Sequence, residues 1–185
     1  MASSGRIPML DRGQVPPEVA VLYDALLAQR GVVPNMFRTL ANVPSLVMGF
    51  AAFLKPLLAD GALSGWYKEL VATRVGFLND CEYCVKAHTL SARQKGASEE
   101  KIAAVTGDLV GAPFTEAEKL GFLCAEKLHA SPQGLDDAFY LQLKNQFTDL
   151  QIVELVAVAS AFQMFSRLIE GLRIPVTPSP AGKQA

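Results

Sequence analysis

Apolar residues recur at intervals of three and four along almost the whole chain, from Pro17 to Ile174, and nowhere alternate with polar residues for the length of a strand. That period marks one face of an α-helix, whereas a half-buried strand needs a period of two. No Asn-Gly or Asp-Gly pair joins two alternating runs; Asp60-Gly61 follows a helical run and ends it. We therefore expect an all-α fold, a compact helical bundle. With 185 residues, half of them hydrophobic, the chain can build one substantial core. A single helical domain over residues 15–174 is expected, between a flexible segment 1–14 and a flexible tail 175–185 rich in Pro and small residues.

Local punctuation divides the chain further. Pro17 at the start and Gly31 past the end frame a first helix over 17–29. A short helical turn over 35–41 follows, then a very apolar helix over 44–59. Lys55-Pro56 should bend or break that helix, because an interior proline removes a hydrogen bond and clashes with the preceding turn. Ser64 can cap a helix running to 79, and Asn79-Asp80 makes a junction into another that starts at Cys81 and ends before Gly96. Ser98 can cap a helix to 105. Thr115 with Glu118 and Thr148 with Gln151 match the capping box, so helices should start near 115, 135 and 148. The segment KELVA at 68–72 also resembles VELVA at 153–157. If the match is a degenerate duplication, Glu154 stands where Glu69 does, and Ser166 where Cys81 does.

Charge and composition exclude several classes. Seventeen basic and eighteen acidic side chains leave a formal charge of −1, which offers no footprint for a phosphate backbone, so nucleic acid is not an expected partner. Charged residues and prolines interrupt the apolar runs, and no membrane span is expected. The first 19 residues contain no apolar stretch of signal-peptide length. A cytoplasmic, reducing setting follows as the expectation, with cysteines starting as thiols.

The chemistry concentrates between Glu69 and His88. Cys81, Cys84 and His88 are separated by three and four residues, which on a helix places both sulfurs and the imidazole within a stripe of about 60°. A slightly opened first turn brings such a cysteine pair within disulfide range. An ordinary thiol with a pKa near 8.5 is about 3% ionised at pH 7, and lowering it two units takes about 2.7 kcal/mol. A helix N-terminus supplies roughly 0.3–1 kcal/mol, up to about 2, so a nearby base must contribute. His88 can take or share the Cys84 proton, and Glu69 on the preceding helix can orient the imidazole or relay protons through water.

Other readings of these residues are less well supported. Two Cys and one His are also zinc ligands, but structural zinc commonly takes four, and no second CxxC or His pair exists. Haem attachment needs His directly after the second Cys, where Val85 stands. A thioredoxin scaffold needs strands. We expect no metal and no bound cofactor. Glu154 is expected to pair with an arginine such as Arg74 or Arg167, Cys124 to be a small core residue, and His129 to complement a helix C-terminus. Tyr83, between the two thiols, could hydrogen-bond at the mouth of the site. Met36, Phe37, Phe50 and Phe53 read as core.

Glu69, eleven residues, CxxC, three residues and His88 together resemble the core of the alkylhydroperoxidase D-like proteins of the carboxymuconolactone decarboxylase superfamily. The segment RGVVPNMFRTLANVP before it and the helix ending MFSRL after it look like the peroxidase-related branch. The resemblance implies an all-helical homo-oligomer, whether dimer, trimer or hexamer. It also implies thiol peroxidase chemistry on hydrogen peroxide or organic hydroperoxides. Cys84 would attack the peroxide, Cys81 would resolve the sulfenic acid, Glu69 and His88 would form a proton relay, and an external dithiol protein or small thiol would act as reductant. In this picture Cys84 is sheltered and Cys81 exposed to the reductant. The best-known members carry a further His between the cysteines, where this chain has Tyr83. Non-peroxidatic disulfide exchange, and a lyase reaction on a small carboxylated lactone, are the alternatives.

Overall fold

A computed structural model describes residues 5–178, among which every regular element is helical. After a short 3-10 turn at Arg12–Gln14 come α1 (Pro17–Arg30), α2 (Asn35–Leu40), α3 (Pro44–Leu58), α4 (Gly65–Leu78) and α5 (Glu82–Gln94). They are followed by α6 (Glu99–Ala104), α7 (Glu116–Ala130), α8 (Asp137–Gln146) and α9 (Asp149–Leu172). The all-α expectation holds.

The chain forms two compact units, one of residues up to 55 and from 168 onward, the other of residues 56–167. The first holds α1, α2 and most of α3, and buries Val19, Tyr23, Leu26, Phe37 and Leu40. Its ends are tied down more firmly than their composition predicts. Leu10 N donates to Arg38 O, Arg38 and Arg12 reach Asp11 and Asp24, and the Asn35 side-chain amide donates to the carbonyls of Pro175 and Val176. Residues 5–14 and 175–178 thus carry specific polar contacts where flexibility is expected. The remainder of those two segments, residues 1–4 and 179–185, lies outside the described residues.

The second unit is organised around α4, which lies against α5 and α7. Nearly every α4 residue from Gly65 to Gly76 is buried, as in a core helix covered on all sides rather than a surface helix. Four polar or charged residues of this helix, Lys68, Glu69, Thr73 and Arg74, are buried with it. Lys68 donates to Ala59 O at 2.8 Å and pairs with Glu154 at 2.8 Å. Glu154 also accepts from the backbone of Ala62 and Leu63, so its partner is a lysine and a loop rather than the expected arginine. Arg74 instead pairs with Glu126, and Arg167 donates to Gln163 O. The arginine expectation fails because pairing depends on which helices meet, not on sequence proximity.

Two punctuation readings also change. Pro56 does not break α3: it stands two residues from the helix end, so the ladder continues to Leu58 with little left to disrupt. Ser64 stands at the N-cap of α4, but its side chain makes no capping bond; Gly65 N donates instead to the Asp60 carboxylate at 2.6 Å. Both capping boxes form as expected. Helix α9 is long and apolar enough to cross a membrane by length and composition. Half of its apolar stretch is buried within the protein and it carries side chains into the site, as a core helix does.

The junction between α4 and α5 positions the thiols. Cys81 N donates to Gly76 O and Asp80 N to Phe77 O, the paired bonds of a Schellman motif with Asp80 in the left-handed conformation, φ 52°. Asp tolerates that conformation better than most residues with a Cβ. The turn folds α5 back so tightly that a Cβ on Gly76 would lie 2.7 Å from Cys84 Cβ. Gly76→Ala is therefore expected to push α5 away from α4 and to lower stability by about 1–3 kcal/mol, read as a drop in the thermal unfolding midpoint of the oxidised protein. An unchanged midpoint would show that the two helices have room to spare.

Candidate active site

Cys81 is the N-cap of α5, and its sulfur accepts from Cys84 N at 3.2 Å. The two cysteines form a disulfide with their Cα atoms 5.3 Å apart. Cys81 is 0% and Cys84 1% exposed. The expectation of an exposed Cys81 is thus wrong, because the Schellman turn tucks it under the start of α5. Cys84 Sγ also lies 3.5 Å from Ser166 Oγ on α9.

One turn beyond Cys84, His88 Nδ1 lies 2.6 Å from Glu69 Oε2. The imidazole and the Phe162 ring meet in a T-shaped arrangement at a centroid distance of 4.3 Å. Glu69 Oε1 accepts from Lys95 Nζ at 2.6 Å, and the same ammonium donates to Leu58 O. Burial pushes the Glu69 carboxyl up. The hydrogen bond and charge of His88, joined by Lys95, outweigh burial and hold it below the usual carboxylate value. Both oxygens are committed and the residue is fully buried. Glu69 therefore holds the His88 ring through Nδ1, with its second oxygen taken by Lys95.

The four residues expected from the sequence, Glu69, Cys81, Cys84 and His88, meet here. Tyr83 is buried beside them on the first turn of α5. Lys95 and Ser166 are additions. Lys95 looks in sequence like an ordinary cation at a helix end, and Ser166 is separated from Cys84 by 82 residues; the KELVA/VELVA register, which sets Ser166 at the position of Cys81, was the one hint of it. Cys124 is buried in α7 and burial pushes its thiol up to about 12, the behaviour of an inert core residue. His129 lies near the end of α7 with Nδ1 3.4 Å from Gln163 Oε1. Among the described residues, no three His, Cys, Asp or Glu side chains group as ligands for a metal ion.

The sequence matches the model of the carboxymuconolactone decarboxylase family over residues 44–127. Protein 4 of the cox locus of Paracoccus denitrificans is 40% identical over 53 residues, 29% of this chain and 48% of that protein. The chain thus spans about half the length of that curated relative. A peroxidase-related protein from Ralstonia eutropha with an alkylhydroperoxidase AhpD core has a similar fold, with a TM-score of 0.88 and 22% identity over 96% of this chain and 94% of that one. A Cys-to-Ala variant of the debrominase Bmp8, in complex with 2,3,4-tribromopyrrole, has a TM-score of 0.84 and 18% identity over 97% of this chain and 96% of that one.

A carboxyl held low stabilises the fold above its ordinary value of about 4.3 and loses that contribution as pH falls through its lower folded value. Glu69→Gln should therefore unfold more easily than wild type at pH 7, by about 1–3 kcal/mol. The gap between the two unfolding midpoints should narrow as pH is lowered below about 4.3. A gap independent of pH would show that the ionised carboxylate is not what holds His88 and Lys95.

Proposed function

We propose that the chain is a member of the carboxymuconolactone decarboxylase superfamily, whose family model it matches over residues 44–127, and that it is a thiol peroxidase reducing hydrogen peroxide or organic hydroperoxides. The observation that carries this reading is a bonded Cys81–Cys84 pair one helical turn from an imidazole held at 2.6 Å by a buried carboxylate. The Cys84 thiolate attacks the hydroxyl oxygen of the peroxide, the O–O bond breaks, and the departing alkoxide, or hydroxide from hydrogen peroxide, takes a proton from His88 or water to leave as alcohol or water. Cys81 then attacks the Cys84 sulfenic acid, forming the disulfide and releasing water. A dithiol reductant closes the cycle through a mixed disulfide.

Burial favours this reading over protein disulfide exchange. A peroxide of a few atoms can reach a sulfur that is 1% exposed far more readily than a partner protein can. For the same reason a small thiol, or opening of the first turn of α5, fits the reductive step. The lactone lyase reading uses no thiol pair and leaves the cysteines unexplained. A homo-oligomer in a reducing cytoplasm is the proposed setting; the exposed Leu46 and Phe53 on apolar α3 support its oligomeric part alone.

The deciding measurement is stoichiometric consumption of cumene hydroperoxide by the reduced protein, with intact mass read before and after. Wild type is expected to consume one equivalent and lose two mass units, which is the loss of two thiol hydrogens. Cys84→Ser should be inert, and Cys81→Ser should stop at a sulfenic acid. The similar fold of a debrominase makes 2,3,4-tribromopyrrole the comparison substrate: two thiols could convert C–Br to C–H, releasing bromide and a proton as the disulfide forms. Bromide release with no loss of peroxide would overturn the peroxidase reading.

A further inference from the structure

Ser166 is fully buried on α9, one turn beyond the Phe162 that meets His88. Its hydroxyl has one hydrogen-bonding contact among the described residues, the Cys84 sulfur at 3.5 Å. In the disulfide neither sulfur carries a hydrogen, so the hydroxyl must be the donor. A buried hydroxyl directed at a disulfide sulfur, a weak acceptor, is poorly satisfied. The same hydroxyl directed at a thiolate is well placed, since a hydrogen bond to a charged acceptor is roughly twice as strong as one between neutral groups.

We propose that Ser166 is a catalytic residue of this site, whose hydroxyl donates to the Cys84 thiolate and stabilises it. When the Cys84 S–H bond breaks, the electron pair stays on sulfur and the proton passes to His88 or to solvent. The Ser166 contact strengthens at that moment, and a bond that favours the ionised form lowers the thiol pKa. The helix N-terminus alone does not suffice for a two-unit shift, as its contribution of up to about 2 kcal/mol falls short of the roughly 2.7 required. Glu82 in the first turn of α5 places a further negative charge near that terminus. His88 is already bonded on one side to Glu69, and Lys95 is committed to Glu69 and Leu58. Among the described residues, the side-chain hydroxyl recorded at the reacting sulfur is that of Ser166 on α9. The same hydroxyl faces the developing thiolate again whenever a reductant opens the disulfide at Cys81 and leaves Cys84 as the departing sulfur.

This inference rests on Cys84 being the attacking sulfur, but its test uses no peroxide, so failure of the peroxidase assay and failure of the Ser166 test are separate results. The chain carrying Cys81→Ser retains Cys84 and the inert Cys124. Its thiolate absorbance at 240 nm is titrated against pH, alone and with Ser166→Ala or Ser160→Ala added; Ser160 is an exposed residue of the same helix. The rate of alkylation of Cys84 by iodoacetamide is followed by peptide mass over the same range. Ser166→Ala is expected to raise the Cys84 pKa by about one unit, a tenfold fall in its ionisation constant, while the alkylation rate on the high-pH plateau stays within about twofold of the parent. Ser160→Ala should leave both unchanged. A midpoint that does not move in Ser166→Ala, or a plateau rate that falls while the midpoint stays, would overturn the proposal: the hydroxyl would then be only packing.

Discussion

A carboxylate with no exposed surface costs several kcal/mol to bury unless its charge and both oxygens are satisfied. Glu69 is such a group, and much of the site's geometry follows from satisfying it. His88 from the middle of α5 takes one oxygen and Lys95 from its C-cap takes the other. One side chain on α4 thereby fixes both the rotation of α5 about its axis and the position of its far end. At the near end the Schellman turn and the Gly76–Cys84 approach do the same. Helix α5 is clamped at three places against the most buried helix of its unit, and the thiols sit at the first of them.

A second carboxylate–lysine pairing in this unit, on a part-exposed glutamate, has a different outcome. Glu154 lies at the place on α9 that Glu69 occupies on α4, and it too binds a lysine, Lys68. Its other partners are the backbone amides of residues 62 and 63. Glu154 therefore organises the loop that leads into α4, and no imidazole or thiol is attached to it. Burial raises its carboxyl, while Lys68 and the two amides bring it below the ordinary value. Two similar helical segments thus use the same residue type, in one case to hold an imidazole and in the other to hold a loop.

Features governed by local chemistry were legible in the sequence. The three-and-four spacing of apolar residues, the capping boxes at Thr115 and Thr148, and the stripe of Cys81, Cys84 and His88 depend on residues within about a turn of each other, and the structure follows them. Features governed by tertiary contact were not legible. Lys95 reads as a solvated cation at a helix end until α3 and α4 bring Leu58 O and Glu69 to it. Ser64 is a good capping residue by type, yet Asp60 reaches the orphan amide first. Cys81 sits at an exposed-looking turn, but that turn carries it inward. Ser166 is invisible to any argument from spacing because α9 delivers it from the far end of the chain.

The charges around the sulfur also constrain how a thiolate can form there. Lys95 balances Glu69 whatever the protonation state of His88, so the network carries no uncompensated charge when the imidazole is neutral. Moving the Cys84 proton to His88 creates one negative and one positive charge within a helical turn of each other, and the total does not change. In a low-dielectric interior, a step that separates charge over a short distance costs much less than one that adds a net charge. Glu69 could not itself accept the proton without giving up its bond to Lys95 or His88, and with it the clamp on α5. In the proposed reaction, proton transfer therefore falls to His88, while Glu69 and Lys95 hold α5. A neutral donor such as Ser166 can then favour the thiolate without disturbing that balance.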